Sequence, residues 1–345
     1  MTELTNSGEL PKLHEAFGNR FRIGAAVNPL TLKTQAGLLK RHYNSVTAEN
    51  EMKFERLQPS EGAFTFERAD AMIDFAAANG MGVRGHTLVW HNQTPDWVFV
   101  NADGSAASRE TLLSRMKTHI ETVVSRYKRI IYAWDVVNEA VSDKPEEFLR
   151  PSRWLDIIGE DFIEKAFEYA HAADSNALLF YNDYNESDPA KREKIYSLVR
   201  SLKEKGIPIH GVGLQAHWNL DNPSLDDIRA AIERYASLDV KLHITELDVS
   251  MFAFEDRRTD LTEPTEEMLE KQAERYRQLF RLLSEYAEHI PSVTFWGAAD
   301  DYTWLDDFPV RGRKNWPFLF DIHQQPKTSF QNVIEDAQAG EEANG

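Results

Sequence analysis

An α/β fold built as one (β/α)8 barrel is what this sequence predicts, and three observations predict it. Strand-like apolar segments recur eight times along the 345 residues. Amphipathic helical segments separate them, which implies a parallel sheet, and eight strand–helix units imply closure into a barrel. No Gly/Ser- or Pro-rich linker interrupts the alternation, so residues 1–345 read as a single domain. Its core spans about 10–337, with short polar tails at both ends and a frayed acidic "AQAGEEANG" at the C-terminus.

The strands fall in order at "FRIGAAV" (21–27), "SVTAE" (45–49), "GVRGHTLVW" (82–90) and "IIYAWDVVNE" (130–139). They continue at "ALLFYND" (177–183), "GVGLQAH" (211–217), "KLHITELDV" (241–249) and "SVTFWGAAD" (292–300). Between the second and third, "ERADAMIDFAAANG" puts Ala69, Met72, Ile73 and Ala76 on one helical face and stops at Gly80. After the third, Ser108 is a natural N-cap for a helix that keeps Leu112, Met116, Ile120 and Val123 in helical register. Asp188-Pro189 caps and starts the helix after the fifth strand. The longest helical segment, "TEPTEEMLEKQAERYRQLFRLLSEY", precedes the eighth strand.

Composition narrows the function. Basic residues number 39 and acidic ones 56, a net charge of −17, which disfavours nucleic acid and anionic lipid as partners. No segment approaches the length of a membrane span. The chain has no cysteine, which excludes disulfides, Cys-based zinc sites and thiol nucleophiles and is compatible with a reducing compartment. The polar N-terminus lacks the blocks of a signal peptide, so a cytoplasmic location is expected.

In such barrels chemistry sits where the strands end. Here the strands run out into Asn28, Glu49 and Asn50, His86 and Trp90, Asn138 and Glu139, Asn182 and Asp183, Gln215 and His217, Glu246 and Asp248, and Trp296. The set holds carboxylates, amides, imidazoles and indoles but no Gly-rich phosphate cradle. Amides and carboxylates suit sugar hydroxyls, and indoles suit the C–H faces of a neutral carbohydrate. Two carboxyl groups flanking a glycosidic bond divide the work: one protonates the leaving oxygen while the other, ionised, attacks or guides water.

The segments "TAENEMKFERLQP", "RGHTLVWHNQTPDWV", "WDVVNEA", "YNDYN", "GVGLQAHWNL", "ITELDVS" and "FWGAADDYTWL" resemble, in order and strand position, the glycoside hydrolase family 10 endo-β-1,4-xylanases, and among them the intracellular bacterial members. The resemblance runs from about Phe21 to Phe330. It implies a TIM barrel that hydrolyses xylan or xylo-oligosaccharides with retention of anomeric configuration, without cofactor, metal or obligatory protein partner. By the same resemblance Glu139 is the general acid/base and Glu246 the nucleophile. Asn138 grips the 2-hydroxyl beside the cleavage point, and His217, oriented by Asp248, supports Glu246. Glu49, Asn50, Lys53, His86, Trp90, Gln93, Asn182, Gln215, Trp296 and Trp304 match substrate contacts. Tyr184, with Tyr181 beside it, stands where an aglycone platform is expected. Thr328 and Ser329 depart from the pattern outside the site, and the loop 306–315 is poorly matched.

Three other readings compete with this one. A metal-dependent barrel hydrolase would also gather His, Asp and Glu at strand ends, but the first strand has no HxH pair. A non-catalytic sugar-binding barrel would have lost a carboxylate, and both are present. An endoglucanase differs from a xylanase in accommodating a C6 hydroxymethyl group, which residue spacing does not decide.

Overall fold

The computed structural model describes residues 11–342, so the N-terminal tail and the last three residues lie outside the described residues. Eight strands carry the barrel: β1 (Arg22–Val27), β2 (Ser45–Ala48), β3 (Gly82–Trp90), β4 (Ile131–Asn138), β5 (Leu178–Asp183), β6 (Gly211–Leu214), β8 (Lys241–Ser250) and β9 (Ser292–Phe295). All pairings are parallel, neighbours in sequence are neighbours in the sheet, and β6 pairs with β8 to close the cylinder. A short strand β7 (His217–Asn219) runs beside the end of β8, with His217 opposite Asp248.

The principal helices are α1 (Ala36–His42), α2 (Glu67–Ala78), α3 (Arg109–Arg126), α4 (Phe162–Ala173), α5 (Pro189–Glu204), α6 (Leu225–Ala236), α7 (Glu266–Glu285) and α8 (Thr328–Glu342). Their starts follow the capping chemistry in the sequence. The Ser108 side chain accepts from the backbone N–H of Thr111, and Asp188 accepts from Ala190 and Lys191. Each such cap contributes about 1 kcal/mol. The predicted faces are buried, Ala69, Met72, Ile73 and Ala76 on α2 and Leu112, Met116, Ile120 and Val123 on α3. Gly80 takes φ +66°, a conformation free of Cβ strain only for glycine.

Three boundaries differ from the sequence reading. The sixth strand stops at Leu214 because Ala216 adopts φ +61°, and His217 resumes as β7. The eighth ends at Phe295, where the chain bends. At the C-terminus α8 continues through Glu342, beyond the expected core limit at 337, so "AQAGEEANG" is helical over its described part.

Strand register shifts between His86 and Val89 on β3, between Asp135 and Val137 on β4, and between Ile244 and Leu247 on β8. Such irregularities re-aim side chains, and these three lie on strands that end in the polar groups above. Within the wall, Gly85 is required by close approach: a Cβ there would lie 2.2 Å from Cε3 of the buried Trp134. Gly85→Ala should therefore destabilise the fold by about 1–3 kcal/mol through overpacking. Denaturant melts of the two proteins check this, and equal midpoints would contradict it.

Candidate active site

The strand-end groups converge at one mouth, and Glu246 on β8 is an enclosed carboxylate there, 5% exposed. Asn182 Nδ2, at the end of β5, donates to Glu246 Oε1 at 2.9 Å. His217 Nε2 lies 3.0 Å from Oε2, and its Nδ1 lies 2.9 Å from Asp248 Oδ2. Burial pushes the His217 pKa down, but the Asp248 and Glu246 carboxylates on either side raise it well above the usual imidazole value. Burial likewise pushes Glu246 up; the His217 hydrogen bond, together with the nearby imidazoles of His86 and His217, more than offsets it, and its pKa is lowered. Glu246 is thus built to be ionised.

Glu139 follows the last residue of β4 and takes φ +57°. Its Oε2 accepts from Trp90 Nε1 at 2.9 Å and its Oε1 from Gln215 Nε2 at 2.9 Å. Its backbone N–H donates to Asn182 O at 2.9 Å, and its carbonyl accepts from Arg150 Nε at 3.1 Å. Two amides join the carboxylates. Asn138 Oδ1 accepts from Asn182 Nδ2 at 2.9 Å and from Gln215 Nε2 at 3.3 Å. Asn138 Nδ2 has no partner among the described residues, so its NH2 group can donate to a ligand.

On one flank, Glu49 accepts from Asn28 Nδ2 at 2.7 Å and from the Tyr302 hydroxyl at 3.1 Å. Lys53 Nζ donates to Asn50 Oδ1 at 3.0 Å and Gln93 Oε1 at 2.8 Å, and sits 4.9 Å from the centroid of the Trp90 ring. Burial lowers the Lys53 pKa against the pull of Glu246, Glu49, Glu139 and Glu51. Trp304 Nε1 donates to Asp248 Oδ2 at 2.9 Å, and its ring stacks on Phe308 at 4.9 Å. The Trp296 ring stands edge-on to His86 at 5.3 Å. These contacts bring Glu49, Asn50, Lys53, His86, Trp90, Gln93, Asn182, Gln215, Trp296 and Trp304 to the same mouth.

Tyr184 lies on the other flank, its hydroxyl donating to Asp143 Oδ2 at 2.5 Å and accepting from Arg150 Nη2 at 2.6 Å, with Lys191 Nζ 3.7 Å from its ring centroid. Tyr181 is not a platform: it is fully buried, donating to Asp183 Oδ2 at 2.5 Å and accepting from the Val141 N–H at 2.8 Å.

Deeper in the barrel, His86 Nδ1 lies 2.9 Å from Asp135 Oδ2, and His86, Asp135 and Glu246 place ligand-type atoms within 4.8 Å of one another. That is the one cluster of metal-ligand type among the described residues. Both carboxylate oxygens of Asp135 already face the Arg84 guanidinium, so a cation occupies the place a metal would take.

Residues 12–336 match the family model described as glycosyl hydrolase family 10. The chain belongs to glycosyl hydrolase family 10. An endo-1,4-beta-xylanase of Geobacillus stearothermophilus is 64% identical over 325 residues, 94% of this chain and 98% of that one. Xylanase XynB of Paenibacillus barcinonensis, solved with a conduramine derivative, superposes with a TM-score of 0.94 at 62% identity, covering 95% of this chain and 99% of that one. A mutant solved in complex with xylotriose gives 0.92 at 50% identity, over 94% of this chain and 100% of that one.

This family 10 site also contains groups that the sequence reading left out of it: Tyr302, which with Asn28 holds Glu49, Arg150 behind Glu139, and Arg84 with Asp135 under His86. A signal for the last two was present, since an Arg in "GVRGHT" and an Asp in "AWDVV" sit inside apolar strands, where opposite charges must pair. The electrostatics give a pH test. Burial raises the Glu246 pKa, but with His217 in place its hydrogen bond helps bring the net shift downward, so an acidic limb of kcat/KM set by this carboxylate should lie below the ordinary glutamate range. His217→Asn removes the lowering influence, and the limb should move to higher pH. A pH–rate profile of both proteins decides it; an unmoved limb would remove His217 from this role.

Proposed function

We propose that the chain is a retaining endo-1,4-β-xylanase in which Glu246 is the nucleophile and Glu139 the acid/base. The observation that carries the assignment is the asymmetry of the two carboxylates. Glu246 is buried against a raised-pKa histidine and one amide N–H, whereas Glu139 hangs on a turn between an indole and an amide N–H. In the first step Glu246 attacks C1 of the xylosyl unit and Glu139 gives its proton to the departing oxygen as the C1–O bond breaks. In the second, Glu139 takes a proton from water, whose oxygen attacks C1 and releases the Glu246 carboxylate. Two inversions give net retention.

The neighbours have roles in this scheme. Asn138 turns its free NH2 to the 2-hydroxyl, whose hydrogen bond strengthens as charge develops at C1. Glu49, Asn50, Lys53, His86 and Gln93 bind the glycone with Trp90, and Trp296 and Trp304 cover it. The Trp304 indole, held by Asp248 and by stacking on Phe308, supports xylose over glucose, because a fixed ring leaves less room for a C6 hydroxymethyl group. Tyr184 serves the aglycone. Short xylo-oligosaccharides in the cytoplasm are the working substrate in this proposal; the cysteine-free composition is compatible with that compartment. Among the described residues no helix is long and apolar enough to cross a membrane.

Proton NMR of xylotetraose hydrolysis should show the β-anomer first; initial α-anomer would sink the nucleophile assignment. Glu139→Ala should slow cleavage of xylo-oligosaccharides by about 10²–10⁴-fold while sparing aryl xylobiosides with activated leaving groups. Equal losses on both substrates would show that Glu139 is not the acid.

A further inference from the structure

Beneath the nucleophile lies an ion pair that the catalytic scheme does not use. Arg84 on β3 and Asp135 on β4 are both 0% exposed. Both terminal nitrogens of Arg84 donate to the two oxygens of Asp135. The third donor, Nε, lies 3.2 Å from His243 Nδ1 on β8. That nitrogen must be an acceptor, so the His243 ring is neutral with its proton on Nε2. Burial and the Arg84 charge hold its pKa well below the usual value, in agreement. Phe180 stacks on His243 at 4.1 Å and lies 5.3 Å from the guanidinium carbon. Three of the five Arg84 N–H groups, one on each nitrogen, are thereby committed.

Asp135 Oδ2 meets a second group, His86 Nδ1, at 2.9 Å. Asp135 is ionised, since Arg84 and His86 outweigh its burial and lower its pKa, so the proton of that hydrogen bond belongs to His86. The same Nδ1 lies 3.9 Å from Glu246 Oε1. One ring N–H thus stands between two carboxylates, and the nearer is the one paired with Arg84.

We propose that the Arg84–Asp135 pair is a positioning device for the reaction. It keeps the His86 proton on Nδ1 and directed at Asp135, so that Glu246 Oε1 carries no donor besides Asn182 and His86 Nε2 is left as an acceptor for a sugar hydroxyl. This rests on the reading of Glu246 as nucleophile. His86 Nε2 has no partner among the described residues, and Asn182 is the one side chain within hydrogen-bond distance of Oε1 among them. A further N–H on Oε1 would stabilise the carboxylate before attack and lose that stabilisation as the ester forms, which slows the first step. The charged and titratable groups around the device are Tyr132 on β4, His243 and Glu246 on β8, His217 on β7, and Arg22 on β1, whose guanidinium carbon lies 4.8 Å from the Tyr132 ring centroid.

The test combines nitrogen-15 NMR of histidine-labelled protein with trapping by a 2-deoxy-2-fluoro-xylobioside, whose adduct is located by mass spectrometry. In the unmodified protein His86 should show its proton on Nδ1, and the label should form on Glu246. In Arg84→Met the trapping rate should fall about 100-fold, as expected of a small displacement at the reacting centre. The proton should also leave the Asp135-directed position, and Arg84→Lys should recover part of the rate. If Arg84→Met does not fold, Asp135→Asn carries the same expectation with less change in volume. A proton on Nε2 in the unmodified protein, or unchanged trapping in a folded variant, overturns the device. Label on another residue of the unmodified protein overturns the nucleophile reading itself.

Discussion

An ionised carboxylate that is 5% exposed cannot exist in a protein wall unless donors reach it from elsewhere, and the mouth of this barrel is arranged around that need. Desolvation of such a group costs several kcal/mol even after relaxation. Hydrogen bonds to a charged group return about 1.5–3 kcal/mol each. Glu246 has two, from Asn182 and His217, and neither donor is on its own strand. Asn182 is the penultimate residue of β5 and His217 opens β7, while Glu246 belongs to β8. Without the β6–β8 pairing, an open flat sheet would leave β5 six places away from β8. Closure through the β6–β8 pairing, with the curvature of the cylinder, brings all three to one point.

The two catalytic-type carboxylates reach this point by different backbone routes. Along β8 the ordinary two-residue period suffices: Glu246 and Asp248 project to the same side, and His217 touches both. Along β4 it does not. Neighbours in an extended strand point to opposite faces, yet Gln215 Nε2 contacts both Asn138 Oδ1 and Glu139 Oε1. The left-handed conformation at Glu139 resolves the conflict by turning its side chain back toward the mouth. Gln93, Asn185 and Ala216, which follow β3, β5 and β6, share positive φ. Each non-glycine residue held there costs about 1–3 kcal/mol, and such positions cluster at functional sites. Successive strand ends thus hold conformations that regular extended chain would not adopt.

That contrast explains what was legible in the sequence. Strand–helix alternation and capping at Ser108 and Asp188 announced the barrel, because they depend on local pattern and short-range chemistry. Glu246 and Asp248 were legible as a pair because two-residue spacing is a strand property. Glu139 was legible only as a charge at a strand end; nothing in "VVNEA" encodes its φ. The break at Ala216 was missed for the same reason, since alanine carries no preference for a left-handed turn. Tyr181 was misplaced by adjacency to Tyr184, although alternation along β5 sends it inward to Asp183. The Arg84–Asp135 contact spans 51 residues, and a partner at that distance follows from barrel register rather than from any local motif.

The buried ion pair shows why the site cannot be separated from the wall that carries it. An ion pair in a barrel interior contributes little net stability, since a well-packed apolar pair of similar volume serves the fold as well or better. Its charges nonetheless define where protons can reside around it. Arg84 fixes Asp135 as an anion and His243 as a neutral acceptor, and Asp135 in turn sets which nitrogen of His86 is protonated. An apolar replacement would fill the space and leave the His86 proton free to turn to Glu246, 3.9 Å away. Removing one partner alone would leave a bare charge in the interior at a cost of about 3–5 kcal/mol. The pair therefore acts as a unit: Arg84 is tolerable because Asp135 is there, and Asp135 can orient His86 because Arg84 keeps it ionised.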